Sequence, residues 1–364
     1  MKITCLKEDL EKAVSNTERI TGKNLNLPVL KGILINVNKS IVLSSTNLDL
    51  GIEIEISGKV EKEGRVVIEG GILNSLLSNI QTNKNLTLEL KSNNLFITGE
   101  NIKITLSTLP SNEFPLIPKP KKGKSIKIKA NLFTNGLKSV WSSASNSTIK
   151  PELSSVYIYP NGEQVIFVAT DSFRLSEKKI LFNNIVNFEP ILIPVKNVVE
   201  IIRNLEDTTG DVEIIFEENQ ISFIYKKQFL TSRIINGAFP DYKQIIPKEF
   251  NTEIISLKED VINSLKQSNV LSDKFNQIIF SVFPSKKTLT IKSRNEKGEN
   301  ISRVEASLNG DDIEIGFNYR YIIDAFQPIS SDSVSFSLTG PGRPMVIKGV
   351  SDGSFIYVVM PMNK

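Results

Sequence analysis

Leu6-Lys7-Glu8-Asp9-Leu10, near the start of the chain, returns as Leu257-Lys258-Glu259-Asp260-Val261 near its end. In both places the word leads from a short strand into an amphipathic helix. Apolar residues follow at helical spacing, Leu6, Leu10, Ala13 and Val14 in the first and Leu257, Val261, Ile262 and Leu265 in the second, so each helix offers one stripe to a core. A middle copy runs Ile128-Lys129-Ala130-Asn131-Leu132 and continues through Phe133, Leu137, Val140 and Trp141. Gly136 interrupts it at a cost of about 1 kcal/mol of helix propensity.

Two further tracts recur in the same order, which makes the chain a threefold repeat. A second strand-into-helix passage starts at Ile68, Ile193 and Ile315, spacings of 125 and 122 residues. An alternating strand starts near Leu86, Val212 and Val334, spacings of 126 and 122. Period-two alternation is plain in Ile52-Glu53-Ile54-Glu55-Ile56, Leu86-Thr87-Leu88-Glu89-Leu90 and Val334-Ser335-Phe336-Ser337-Leu338, the pattern of half-buried antiparallel strands. Ser92-Asn93-Asn94 and Glu218-Asn219-Gln220 suit the turns between strand pairs. Each repeat is therefore expected to be α+β, with helices laid on one face of a sheet. Pro115, Pro118 and Pro120, followed by Lys119-Lys121-Lys122-Gly123-Lys124, read as a stiff, charged connector after the first repeat. A fainter boundary falls near Pro247 to Asn251, so the expected domains are 1–122, 123–248 and 249–364.

Composition narrows the function. At 364 residues with 40% hydrophobic and 23% charged residues, the chain has material for two or three packed cores and is not a disordered one. It contains no histidine, which removes the commonest general base, the Ser-His and Cys-His pairs and the commonest zinc ligand. Cys5 is the single cysteine; it permits no intrachain disulfide and reads as a small core residue of the first strand. Met1-Lys2-Ile3-Thr4-Cys5-Leu6-Lys7-Glu8-Asp9 carries charges where an export signal carries its apolar stretch, and no later segment runs 18 apolar residues, so a cytoplasmic protein without membrane contact is expected. The net charge of +4 is mild; contact with a phosphate backbone would depend on basic residues gathered on one surface.

Rival readings find little support. Gly340-Pro341-Gly342-Arg343-Pro344 lacks the third glycine and the following helix of a dinucleotide site, and no phosphate-binding loop with Gly-Lys-Ser/Thr occurs. Glu61-Lys62-Glu63 and Asp311-Asp312 read as solvated carboxylates in turns. A structural or adhesive repeat protein is the other competitor, separable from a DNA-associated one by salt-dependent retention on circular DNA.

Several words resemble the beta subunit of bacterial DNA polymerase III, the sliding clamp family, across the whole chain. Leu27-Pro28-Val29-Leu30 resembles the family's early loop; Leu106-Ser107-Thr108-Leu109-Pro110 with Phe114-Pro115 resembles the end of its first domain. Ala169-Thr170-Asp171-Ser172-Phe173-Arg174-Leu175 looks like its central motif, Phe239-Pro240-Asp241-Tyr242 its second domain end, and Tyr357-Val358-Val359-Met360-Pro361-Met362 its C-terminus. Phe173 stands where the central motif usually has histidine, and Asn363-Lys364 departs from the family's basic-apolar ending.

The resemblance implies three clamp-type domains, antiparallel sheets outside and two helices per domain inside, in a head-to-tail homodimeric ring around duplex DNA. It implies a processivity factor with no catalytic residue, cofactor or metal. Its partners would be DNA of any sequence, the catalytic subunit of the replicative polymerase, the clamp loader and other proteins with clamp-binding motifs. The family's peptide pocket maps to Leu153, Thr170, Phe173, Arg174, Leu175, Pro240, Ile245, Phe275, Asn318, Tyr321, Val346, Val358, Val359, Met360, Pro361 and Met362. Read without the resemblance, the Met and Val residues at the C-terminus are a buried last strand. Position in the family's helices implies DNA contacts from Lys12, Lys138, Lys150, Lys196 and Arg203. Asn24 replaces an arginine that members often direct at DNA, and Lys23 beside it is the expected substitute. The implied dimer contact sets Ile104 and Leu106, on an edge strand, against Val270 and Leu271.

Overall fold

The computed structural model describes every residue except 23–25, 83, 122, 183–186, 363 and 364; Lys23, Asn24 and the Asn363-Lys364 ending therefore lie outside the described residues. Each strand-into-helix passage folds as the repeat predicts, giving helices α1 (Lys7–Glu18), α2 (Gly70–Asn79), α3 (Ala130–Val140), α4 (Val195–Leu205), α5 (Lys258–Val270) and α6 (Tyr319–Asp324).

The repetition extends to single hydrogen bonds. No side chain caps the start of α1 or α5. Instead the first N–H groups of α1, α3 and α5 donate to the carbonyls of Lys84, Gly210 and Asp332 at 3.3, 3.0 and 2.8 Å. Each of these carbonyls belongs to the residue just before an alternating strand, Asn85–Lys91, Asp211–Phe216 and Ser333–Leu338. A neighbouring strand thus satisfies an N–H that a Ser or Asp cap would otherwise take. Glu8 and Asp9, and Glu259 and Asp260, sit in the first turns of α1 and α5, where carboxylates favour the positive end of the helix dipole.

The core-facing stripes differ from expectation at one place. Leu6 and Leu257 are 37% and 55% exposed, because each closes a strand with its side chain on the outer face. Leu10, Ala13 and Val14 of α1 and Val261 and Leu265 of α5 are buried, with Thr17, Ser264 and Ser268 completing the same faces. Gly136 in α3 has a packing reason. A Cβ there would lie 2.4 to 2.6 Å from the ring of Phe167, a fully buried side chain set edge-on against Phe133 at 5.4 Å.

By packing, the chain forms two compact units. One holds residues 1–131, 186–188 and 199–234. Its eight-stranded antiparallel sheet joins the first repeat to half of the second, where Gln228–Arg233 pairs with Leu50–Ile56. Its five-stranded sheet runs from Gly58–Lys62 to an outer strand, Lys103–Ser107. Glu61 and Lys62 end the first of these strands, on a sheet edge, and Glu63 makes the link to the next strand at Gly64; Glu61 pairs with Lys2 at 2.7 Å.

The other unit holds residues 132–185, 189–198 and 235–364. Its nine-stranded sheet joins the rest of the second repeat to the third, where Arg174–Leu181 pairs with Phe355–Val359. A four-stranded sheet ends on Gly298–Val304. The third repeat's core is built from Ile254, Val261, Leu265, Phe280, Phe317, Phe336 and Met345 among others. Among the described residues, no helix is long and apolar enough to cross a membrane.

Candidate peptide pocket and basic surface

Alternation along the nine-stranded sheet sorts the C-terminal residues by face. Leu175 lies opposite Val358, and Val358 opposite Val346, across three neighbouring strands. Cross-strand partners share a face, so these three buried side chains form one apolar row, packed with Ile166, Val168 and Tyr242. Val359, one residue on, turns to the opposite face and joins the third repeat's core. Of the three valines named from sequence, Val346 and Val358 share this face and Val359 does not.

The segment 239–250 supplies the next wall. Phe239 stacks on Tyr157 at 4.8 Å, Pro240 is exposed, and Ile245 is 46% exposed. Tyr242 fastens this segment down: its hydroxyl donates to Glu177 Oε2 at 2.5 Å and shares a 2.8 Å hydrogen bond with the Tyr159 hydroxyl. Burial first, then the hydrogen bond to Glu177, raises the Tyr242 pKa far above the usual phenol range. Glu177 is itself buried and meets Lys179 at 3.3 Å.

The turn Thr170–Arg174 forms the rim. Thr170 Oγ1 donates to the Arg174 carbonyl at 2.7 Å, and Asp171 Oδ1 accepts from the N–H groups of Phe173 and Arg174 at 2.9 and 3.0 Å. These bonds hold Phe173 outward, 59% exposed and stacked at 6.5 Å on Tyr321. Arg174 lies over the Tyr321 ring at 4.6 Å and binds Asp171 at 3.0 Å and Asp324 at 2.5 Å. Burial opposes the Arg174 charge, but Tyr357, Asp324 and Asp171 outweigh it and hold its pKa above the usual value. Burial, then Asp171, raises the Tyr321 pKa, and Arg174 partly offsets the rise.

The last residues close the ring of contacts. The Met360 N–H donates to the Phe173 carbonyl at 2.8 Å, and the Met362 N–H to the Gly316 carbonyl at 2.9 Å. Met360, Pro361 and Met362 are all half-buried. Asn318 Nδ2 donates to the carbonyl of Phe275, whose ring is 57% exposed. Leu153 is buried, and its backbone bonds run to Lys150 and Ser145. The structure thus links Thr170, Phe173, Arg174, Tyr321 and Met360 by direct contacts, sets Leu175, Val346 and Val358 in one row and pairs Phe275 with Asn318, with Asp171, Glu177, Tyr242 and Asp324 as supports. Asp171 and Tyr242 stood inside the quoted words; Glu177 and Asp324 gave no sequence signal, since their partners lie 65 and 150 residues away.

The basic residues are less uniform. Lys12 on α1 and Lys196 on α4 are exposed. Arg203, seven residues beyond Lys196, is paired with Glu200 at 2.6 Å. Lys12, Arg19 and Arg203 line a cavity of about 640 Å³ together with Glu8, Glu11, Glu206 and Asp207, so this surface is mixed in charge. Lys138 is half-buried in the last turn of α3. Lys150 is exposed but stands in a turn, not in a helix as expected; its carbonyl accepts from the Leu153 and Ser154 N–H groups. Among the described residues no group of three or more Cys, Asp or Glu side chains is placed to hold a metal.

Comparison with known proteins agrees with this architecture. Residues 1–118, 127–241 and 243–363 match the models of the N-terminal, central and C-terminal domains of the DNA polymerase III beta subunit. The beta sliding clamp of Synechococcus elongatus is 24% identical over 373 residues, covering 100% of this chain and 99% of the relative. That of Rickettsia felis is 27% identical over 339 residues, 89% of each. Among solved structures, the polymerase sliding clamp of Bacillus subtilis superposes with a TM-score of 0.94 at 23% identity, over 100% of this chain and 99% of the other. A Pseudomonas aeruginosa clamp bound to griselimycin gives 0.94 at 22%, over 100% of both chains. With all three domain models matched in order along its length, the chain belongs to the DNA polymerase III beta subunit family.

Proposed function

We propose that the protein is a DNA sliding clamp: a non-enzymatic ring of two chains, each with domains at 1–122, 123–248 and 249–364, that surrounds duplex DNA and tethers the replicative polymerase. The observation that carries this reading is the ordered match of all three domain models to one chain. Enclosure makes the mild net charge of +4 intelligible. A ring leaves DNA by opening, so it has no need of tight contacts. Lys12, Lys138, Lys150, Lys196 and Arg203 would meet phosphates without reading bases, giving salt-sensitive contact that permits sliding; Lys23 is added to them on the resemblance alone.

Docking falls to the apolar row Leu175, Val358 and Val346, with Ile245, Phe275, Tyr321, Met360 and Met362 around it. A short motif from the polymerase, the clamp loader or another partner would set apolar side chains there, and the flexible methionines suit several such motifs. Ring closure would join the strand Lys103–Ser107, bearing Ile104 and Leu106, to the region of Val270 and Leu271 on a second chain.

The test is retention on nicked circular DNA after loading by a clamp loader shown to load a control clamp, followed by cutting the circle once. Release only after the cut is the expected result. Retention that survives the cut means ordinary tight binding and overturns the topological mechanism.

A further inference from the structure

The rim turn of the pocket occurs twice in the chain. In Thr46–Leu50, Thr46 Oγ1 donates to the Leu50 carbonyl at 2.8 Å and accepts from the Leu48 N–H at 3.0 Å. Asn47 Oδ1 accepts from the N–H groups of Asp49 and Leu50 at 3.0 and 2.8 Å. Thr170–Arg174 makes the same four bonds, with Asp171 in the place of Asn47. The third residue of each turn is left-handed, Leu48 at φ 78° and Ser172 at φ 77°.

The strands behind the two turns keep one register. Gly51 faces Thr231, and Thr231 faces Ser222, as Leu175 faces Val358 and Val358 faces Val346. The Arg233 N–H donates to the Asp49 carbonyl at 2.8 Å, the counterpart of Met360 donating to Phe173. Even the covering segments agree, since Phe114-Pro115 precedes the buried Ile117 as Phe239-Pro240 precedes the buried Tyr242.

Side chains separate the two copies. Where the pocket floor has Leu175, Val358 and Val346, the first copy has Gly51, Thr231 and Ser222. Ile117 fills the room at Gly51, where a Cβ would lie 2.8 Å from Ile117 Cγ2. A cleft of about 460 Å³ remains, walled by Leu48, Pro115, Leu116 and Pro118. Leu48 is 42% exposed and Leu116 is 96% exposed. Both leucines line the same cleft, so one apolar ligand side chain could cover them together.

We propose that this cleft is a second docking site for a linear peptide, one with a bulky apolar residue to lie between Leu48 and Leu116 and a hydrogen-bond donor to reach the remaining lone pair of the Thr231 hydroxyl, which donates to the Ile221 carbonyl and accepts from Ser222 Oγ at 3.1 Å. It rests on the reading of the Leu175, Val358 and Val346 pocket as a peptide site, since a shared frame is what points to a shared kind of occupant. Its floor of Gly51, Thr231 and Ser222 in place of Leu175, Val358 and Val346 gives it a different sequence preference.

The test uses a displayed random-peptide library selected in parallel on the full chain and on a Met360→Asp, Met362→Asp chain, whose two changes disable the first pocket. Peptides enriched on the double variant should carry a bulky apolar residue beside a polar one. They should lose roughly tenfold or more in affinity with Leu48→Asn or Leu116→Asp. Neither change threatens folding, because asparagine tolerates the left-handed turn and Leu116 is exposed; thermal unfolding checks this. Peptides that bind the full chain but not the double variant, with none enriched on the latter, overturn the second cleft and leave the pocket reading intact. Peptides indifferent to both sets of changes, or no enrichment on either chain, overturn both.

Discussion

Tyr242 and Cys5 show what burial does to a single side chain. The Tyr242 hydroxyl donates to a buried Glu177 carboxylate, and a carboxylate deprived of such a donor keeps its desolvation penalty without the return. Tyr242→Phe should therefore cost about 1–3 kcal/mol, read as a lower midpoint in urea, with faster amide exchange concentrated in 239–250; an unchanged midpoint would rule out the latch. Cys5 is buried in the first strand, and burial, with Asp9 second, pushes its thiol up to about 12 from the ordinary 9.0. It should resist thiol reagents at pH 8 in the folded chain and react once the chain is unfolded. The raised pKa means that the folded state holds a proton the unfolded state releases. The stability this provides is complete below pH 9.0 and is lost as the pH climbs from there toward about 12. Cys5→Ala should flatten that part of the alkaline decline; an identical decline in the variant would show that the thiol plays no part. Neither effect was fully legible in the sequence. A lone cysteine in an apolar strand announces its own burial, whereas the partner of Tyr242 lies 65 residues away and only the register of the folded sheet brings it near.

Helices and strands were legible because each carries its own periodicity three times over. The same reading priced Gly136 as a defect in α3, since propensity is local and the ring that needs the glycine belongs to a strand 31 residues on. Phe167 occupies the place of a Cβ at 136, at distances of 2.4 to 2.6 Å. Gly136→Ala should then lower the thermal midpoint, as overpacking costs about 1–3 kcal/mol and exceeds the gain of about 1 kcal/mol in helix propensity. A rise in the midpoint would mean that the ring moves aside freely. The helix starts teach a related lesson. The sequence word Leu-Lys-Glu-Asp contains no Ser, Thr or Asn cap, yet α1 and α5 begin at it because the carbonyl of the residue just before a strand takes the first N–H. Lys150 failed as a helical residue for the opposite reason: α3 and the short turn after it end at Ser143, and the polar run Ser145 to Lys150 has no apolar stripe to extend them.

At the scale of the molecule, repetition places the second repeat's strands in two different sheets, half with the first repeat and half with the third. The two sheets built from a single repeat, five-stranded in the first and four-stranded in the third, carry further edges. Lys103–Ser107 in one unit and Gly298–Val304 in the other each have a strand partner on one side only among the described residues. Unpaired edges invite association, and two unlike edges on one chain suit a head-to-tail contact, which closes only if the rotation per chain completes a turn. Ile104 and Leu106 are half-buried on the first edge. Near the second, Val270 is 76% exposed at the end of α5, and Leu271 packs 3.7 Å from the position a Cβ would take at Gly298. Val270→Asp should leave the stability of the single chain within about 0.5 kcal/mol, as exposed positions do. In the proposed dimer it would set an unpaired charge against the apolar Ile104 and Leu106 and should weaken association at least tenfold. Sedimentation equilibrium over a dilution series measures this, and the variant should reach monomer mass at concentrations where the parent is still dimeric. Equal dissociation of the two proteins would place the contact elsewhere, while a parent that is monomeric throughout would remove the head-to-tail dimer and the closed ring with it.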